Sequence, residues 1–120
     1  MAETVGSRLV AAIAARDQDA IARCFAPDAE LRALTPRGLR ERTGRDEVAA
    51  LVAGWFADST TLAVVDSGEG QVADKLYLRY RVDGIEEGEP YVVEQHVYCV
   101  ASDGEIERAD LLCSGFRPRP

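Results

Sequence analysis

The chain has 120 residues, room for one domain around one core, expected to span residues 1–120. With 47% hydrophobic and 29% charged residues it has a globular composition, and no apolar run approaches the ~20 residues that cross a bilayer. Its 14 basic and 21 acidic residues give a net charge of −7, which opposes nucleic-acid phosphates and anionic membrane surfaces, so neither is an expected partner.

The N-terminus has no basic start, and Arg8 and Arg16 break its apolar positions. It does not read as a signal peptide, and a cytoplasmic location is expected. From Glu3 to Ala15 the apolar residues Val5, Leu9, Val10, Ala12 and Ile13 form a helical stripe. Asp17 is placed to cap a second helix, Gln18 to Phe25, which Pro27 and Asp28 stop. Glu30 to Thr35 reads as a short strand. Pro36-Arg37-Gly38 then opens a polar loop ending near Gly44. A third helix runs from Arg45 to Ala57, with Val48, Leu51, Val52, Trp55 and Phe56 at helical spacing. Trp55 and Phe56 are expected to pack this helix onto a sheet, and Trp55 is also a candidate pocket wall.

After Asp58 the periodicity becomes strand-like. Thr60 to Ser67 is β-branched and apolar, and Gly68-Glu69-Gly70 reads as a turn. Ala73 to Asp83 alternates, with Leu76, Leu78, Tyr80 and Val82 on one face and Tyr77, Arg79 and Arg81 on the other. Gly84 to Pro90 is an acidic loop whose Glu86, Glu87 and Glu89 read as solvated. Tyr91 to Ala101 is a strand, Asp103-Gly104 a hairpin turn, and Glu105 to Phe116 the last strand. The tail Arg117 to Pro120 carries two prolines and is not expected to pair. Strands in a run predict an antiparallel sheet, covered on one face by three helices, in an α+β fold.

Cys24, Cys99 and Cys113 sit in apolar runs without a Cys-x-x-Cys, which argues against disulfides and a zinc site. They read as buried thiols, and no metal or other cofactor is expected.

The chemistry-bearing residues gather near the last hairpin. A two-residue turn at Asp103-Gly104 would set Val97 opposite Asp110, His96 opposite Leu111 and Glu94 opposite Cys113. Glu94, His96 and Tyr98 then share a face with Cys113, while Asp110 lies on the other. A one-residue bulge would exchange the faces on one strand, so the pocket-lining face stays open. His96 is the only histidine and, with an unperturbed pKa near ~6.5, suits proton transfer at neutrality. Glu94, two residues away, is placed to orient it. Asp110 interrupts an apolar strand and is the second candidate acid or base, or else the partner of Arg32, Arg79 or Arg81. Tyr80 and Tyr98 are candidate donors to a substrate carbonyl. Cys113 has no base adjacent in sequence and is the weakest candidate nucleophile.

Four pieces resemble the nuclear transport factor 2-like superfamily, in its SnoaL-like and ketosteroid-isomerase-like branch. Asp17 to Ala29 is similar to the family's second helix with its closing Phe-x-x-Asp-Ala. Gly44-Arg45-Asp46-Glu47-Val48 resembles the start of its third helix, Asp103-Gly104-Glu105-Ile106 its penultimate turn, and the strand that follows its last. The resemblance implies a cone-shaped, strongly curved sheet wrapped round a pocket, closed by helices, and homodimers through the outer sheet face. Relatives include isomerases, dehydratases, polyketide cyclases, epoxide hydrolases and non-catalytic proteins. Where many members end on Tyr-Phe-Asp this chain has Leu112-Cys113-Ser114, so an aspartate that often serves as acid or base is missing there.

The expected function is therefore a pocket for a small apolar molecule, with His96 or Asp110 moving a proton in a cofactor-independent isomerase-, dehydratase- or cyclase-like reaction. The alternatives are a non-catalytic module that binds a lipophilic ligand or dimerises, and a protein that recruits a partner through its outer sheet.

Overall fold

The computed structural model describes residues 4–120. Its helices are α1 (Val5–Ala15), α2 (Gln18–Arg23) and α3 (Arg45–Phe56). Its strands are β1 (Phe25–Thr35), β2 (Gly38–Thr43), β3 (Ser59–Val72), β4 (Lys75–Glu86), β5 (Glu89–Ser102), β6 (Glu105–Cys113) and β7 (Arg117–Pro118). They form one curved, unclosed sheet in the order β2-β1-β6-β5-β4-β3, with β7 paired to β5. The α+β class is as expected. The sheet is mixed, because β1 runs parallel to β6 while the other pairs are antiparallel.

The helix ends follow from local chemistry. Thr4 and Asp17 cap α1 and α2 by accepting from the amides of Ser7 and Ala20. The expected helix start at Glu3 lies outside the described residues. The second helix ends at Arg23, and Phe25 already belongs to β1, opposite Ile106. Pro27 and Asp28 fall where the parallel register shifts, between Phe25 and Glu30. Arg45 ties the start of α3 to the sheet, donating to the Phe25 carbonyl at 2.8 Å and pairing with Glu105 at 2.6 Å.

The strand boundaries depart from expectation in several places. The polar loop before Gly44 contains β2, an edge strand paired with β1. Gly68-Glu69-Gly70 does not turn; it continues β3 opposite Arg79, Leu78 and Tyr77, and the chain reverses at Ala73-Asp74. Gly68 leaves space there for the Arg79 guanidinium, 3.3 Å from where a Cβ would stand. The proline tail does pair, since Arg117 and Pro118 lie beside Val92 and Tyr91. A proline is tolerated there because the other side of β7 is open. The acidic stretch at Gly84–Pro90 narrows to a two-residue turn at Glu87-Gly88, both at positive φ, as at Asp103-Gly104.

The core lies between the helices and one sheet face. Leu9, Ile13, Ile21, Val48, Val52 and Phe56 from the helices meet Leu76, Leu78, Tyr80, Val82, Val93, Val97 and Ile106 from the strands. The opposite sheet face is left uncovered by the chain. Which residues reach which face is decided by one irregularity. The β5–β6 pairing runs Ser102–Glu105 and Ala101–Ile106, then jumps to Val100–Arg108, leaving Glu107 unopposed. Beyond that bulge Tyr98 faces Asp110, Val97 faces Leu111 and His96 faces Leu112. The expected pairing is thus displaced by one residue on β6, and its side chains change faces.

Candidate functional site

Two regions carry candidate chemistry, one on each face of the sheet. On the inner face a cavity of about 500 Å³ opens between the β1–β2 turn, the end of α3 and the end of β6. Trp55 and Phe116 supply aromatic wall, and Cys113 lies deeper. Arg37, Arg40, Arg117 and Glu86 complete the charged part of the lining.

The wall beside Phe116 is shaped by a glycine. Gly115 has φ +83°, and a Cβ there would stand 2.6 Å from Pro36 Cγ. The chain can therefore turn close against the β1–β2 connection. Phe116 packs on Tyr91 and Phe56, with ring centroids 5.0 and 5.8 Å apart. Tyr91 is itself fixed by a 2.7 Å hydrogen bond with Ser59 Oγ.

Behind Cys113 runs a short buried polar chain. The Tyr80 hydroxyl donates to Gln95 Oε1 at 2.6 Å, and Gln95 Nε2 donates to Cys113 Sγ at 3.4 Å. The Gly115 amide donates to the same sulfur, also at 3.4 Å. Burial raises the Tyr80 pKa far above its ordinary value, so the hydroxyl stays protonated and serves as a donor. Gln95 has no exposed surface, and its amide oxygen and nitrogen each find a partner in this chain of contacts. Burial also pushes the Cys99 thiol up to about 12 and raises that of Cys24, so both are held as neutral thiols. All three cysteines are free and buried.

The outer face carries a different network. His96 Nε2 lies 2.6 Å from Glu94 Oε2, and His96 Nδ1 lies 2.8 Å from the Tyr77 hydroxyl. Arg81 Nε donates to the other Glu94 oxygen at 2.9 Å. The hydrogen bonds from His96 and then Arg81 hold the Glu94 carboxyl below the usual carboxylate range. Alongside, Arg79 pairs with Asp66 at 2.7 Å, and Asp110 with Arg32 at 3.1 Å. Tyr98 stacks on Tyr77 at 5.0 Å yet is 62% exposed.

The sequence-derived candidates therefore divide. Trp55 lines the inner cavity, and Tyr80 connects to it through Gln95 and Cys113. Glu94, His96, Tyr98 and Asp110 share the outer face, with Glu94 touching His96 as expected. Asp110 takes Arg32 as its partner, and no hydrogen bond among the described residues joins it to His96. Gln95 was missed as a site residue, although a polar residue in phase with Val93 and Val97 is a legible signal. Arg37, Arg40 and Arg117 gave none, since each sits in a polar stretch. Among the described residues no group of three or more histidines, cysteines or carboxylates is placed to hold a metal ion. No helix among them is long and apolar enough to cross a membrane.

Residues 7–109 match the family model described as a SnoaL-like domain. A search of curated proteins found no match. Among solved structures, the chain is similar to a protein of ketosteroid isomerase-like fold from Catenulispora acidiphila, solved with trimethylamine. The TM-score is 0.76 at 17% identity, covering 95% of this chain and 88% of that one. A candidate polyketide cyclase from Xanthomonas campestris pv. campestris aligns with TM-score 0.72 at 19% identity, over 90% and 86% of the two chains. A candidate isomerase from Bacillus subtilis aligns with TM-score 0.72 at 12% identity, over 92% and 86%. At these identities the likeness carries the fold alone.

Proposed function

Because the chain belongs to the SnoaL-like family, we propose that it binds a small, mainly apolar molecule in its inner cavity. The observation that carries this reading is the lining. Aromatic surface from Trp55 and Phe116 adjoins Cys113, behind which lies the fixed Tyr80–Gln95 pair. Binding is favoured over proton transfer because, among the described residues, that lining holds a single carboxylate, Glu86, and no histidine. Three free, buried thiols suit a cytoplasmic setting.

Trp55 is the only tryptophan, so its fluorescence reports on this cavity directly. Titration with a graded panel of alicyclic ketones and alcohols should give saturable changes in its emission. Trp55→Leu should weaken the best binder, followed by calorimetry, about tenfold with little change in Tm. Unchanged affinity would place the binding elsewhere.

A second reading keeps catalysis on the outer face. It rests on the Tyr77–His96–Glu94 chain, in which Glu94 orients the imidazole at one ring nitrogen and a substrate group would take the place of the Tyr77 hydroxyl at the other. In that reading His96→Ala and Asp110→Asn abolish turnover of a substrate found by screening and leave Tm nearly unchanged. Full activity in both variants removes it.

We further propose that a second copy of the chain covers the outer face. Leu112 and Leu34 are cross-strand neighbours there and are 55% and 52% exposed, next to the exposed Tyr98. A C2 pairing would cover the same patch on both copies.

A further inference from the structure

Most basic side chains of this protein have a partner. Among the described residues Arg32, Arg45, Lys75, Arg79, Arg81 and Arg119 each pair with a carboxylate. Arg8 and Arg16 donate to the backbone carbonyls of Gly104 and Ser59. Arg23, Arg42 and Arg108 also lack an ion pair among the described residues, but they are scattered; Arg37, Arg40 and Arg117, equally without one, all line the inner cavity. Arg117 makes one long hydrogen bond, 3.4 Å from Nε to the Ser114 carbonyl, which steadies its stem and leaves its outer nitrogens free of a carboxylate.

Acids outnumber bases 21 to 14 in this chain, so an arginine without a carboxylate is not explained by a shortage of acids. Three of them converge on one opening, where Glu86 is the only acid. The mouth is therefore locally positive on a protein whose overall field is negative. All three arginines are exposed, whereas Trp55 is half-buried and Cys113 is only 8% exposed. Phe116 is exposed beside the arginines, and the apolar surface continues inward from it to Trp55 and Cys113. The lining contains no helix N-terminus and no glycine-rich cradle of amides, so it lacks the parts that favour a phosphate. Planar guanidinium forks match a carboxylate.

We infer that the cavity selects an organic monocarboxylate with a ring-bearing apolar body. The carboxylate meets Arg37, Arg40 and Arg117, and the body lies against Trp55 and Phe116. This inference rests on the reading that the inner cavity binds a small molecule. It adds a sign of charge to what that reading leaves as an apolar ligand.

The test uses matched carboxylates, primary amides and ammonium compounds carrying the same apolar bodies, from cyclohexyl to naphthyl. Each is titrated calorimetrically into the full chain, with the Trp55 indole N–H resonance followed to locate binding. Carboxylates should bind about tenfold tighter than their amides, the size of two or three partly exposed charge pairs, and ammonium compounds weakest. The advantage should shrink as salt is raised. In Arg37→Gln/Arg40→Gln/Arg117→Gln the carboxylate should fall to the affinity of the amide, with the amide unchanged. Equal binding of carboxylate and amide in the unaltered chain overturns the inference and leaves the cavity reading standing. A carboxylate preference that survives the triple substitution overturns it too, because the arginines would not be its cause. If no compound of any class moves the Trp55 resonance, the cavity reading and the inference fail together.

Discussion

Gly84→Ala is expected to destabilise the fold by about 2–4 kcal/mol, lowering Tm by roughly 10 °C or more. Gly84 lies opposite Tyr91 in the β4–β5 pairing, and the tyrosine ring crosses directly over the glycine. A methyl group there would overlap the ring, standing 2.6 Å from Cε2 and closer still to Cζ and Oη. The ring cannot simply swing away. It is buried, bonded through its hydroxyl to Ser59, and packed on Phe116. Moving it would strand the Ser59 hydroxyl and shift the aromatic wall of the cavity. Urea or thermal unfolding measures the loss. Tyr91→Ala in the Gly84→Ala background should be no less stable than Tyr91→Ala alone, since the clash then has no second party. A Gly84→Ala protein that melts with the unaltered chain would show that the ring is free to move.

Leu112→Glu is expected to turn the proposed dimer into a monomer. The side chain sits near the middle of the uncovered sheet face, between Leu34 on β1 and His96 on β5. In a symmetric pairing the substitution loses apolar burial twice and buries two like charges near one another. Together these weaken association by about a hundredfold or more. Sedimentation equilibrium should show a fall from twice the chain mass to the chain mass. Leu34→Glu on the neighbouring strand should act in the same direction. An unaltered chain that sediments as a monomer at high concentration would dispose of the dimer at once.

What could be read beforehand follows how each signal is encoded. The three helices were legible because each buries one side and writes it at helical spacing, as Val48, Val52 and Phe56 do in α3. The alternation of β4 was legible for the same reason, since Leu76, Leu78, Tyr80 and Val82 are all buried. β2 was not, because Arg40, Glu41 and Arg42 lie on an edge strand with little buried surface and no reason to alternate. The glycines of β3 misled for a related reason. An exposed edge strand tolerates them without bending, while the real turn uses Ala73, at a positive φ that its residue type does not advertise.

The site was legible residue by residue and not as an assembly. His96 and Glu94 do touch, because neighbours two apart on a strand share a face whatever the rest of the sheet does. Asp110 could not be assigned to their face, because that depended on whether one extra residue, Glu107, interrupts the pairing. One unpaired residue reverses every later assignment on its strand, and no composition signals it. The cavity rim was less legible still. Arg37, Arg40 and Arg117 are brought together by a turn and a strand end about eighty residues apart, a proximity that exists only in the folded chain.

The parallel pairing of β1 with β6 has a consequence for how the protein comes into being. Leu31 finds Ala109, and Leu34 finds Leu112, across about two thirds of the sequence. During synthesis the first strand therefore waits for β6 before one of its edges is filled. Until then β1 can pair only with β2, and the buried side of that hairpin, Leu31 and Ala33, has no sheet to join. Folding of the sheet should thus be slow for its size, since the contacts that complete it are distant in sequence. Until β6 is in place the sheet carries an open strand edge, a pairing site for other chains.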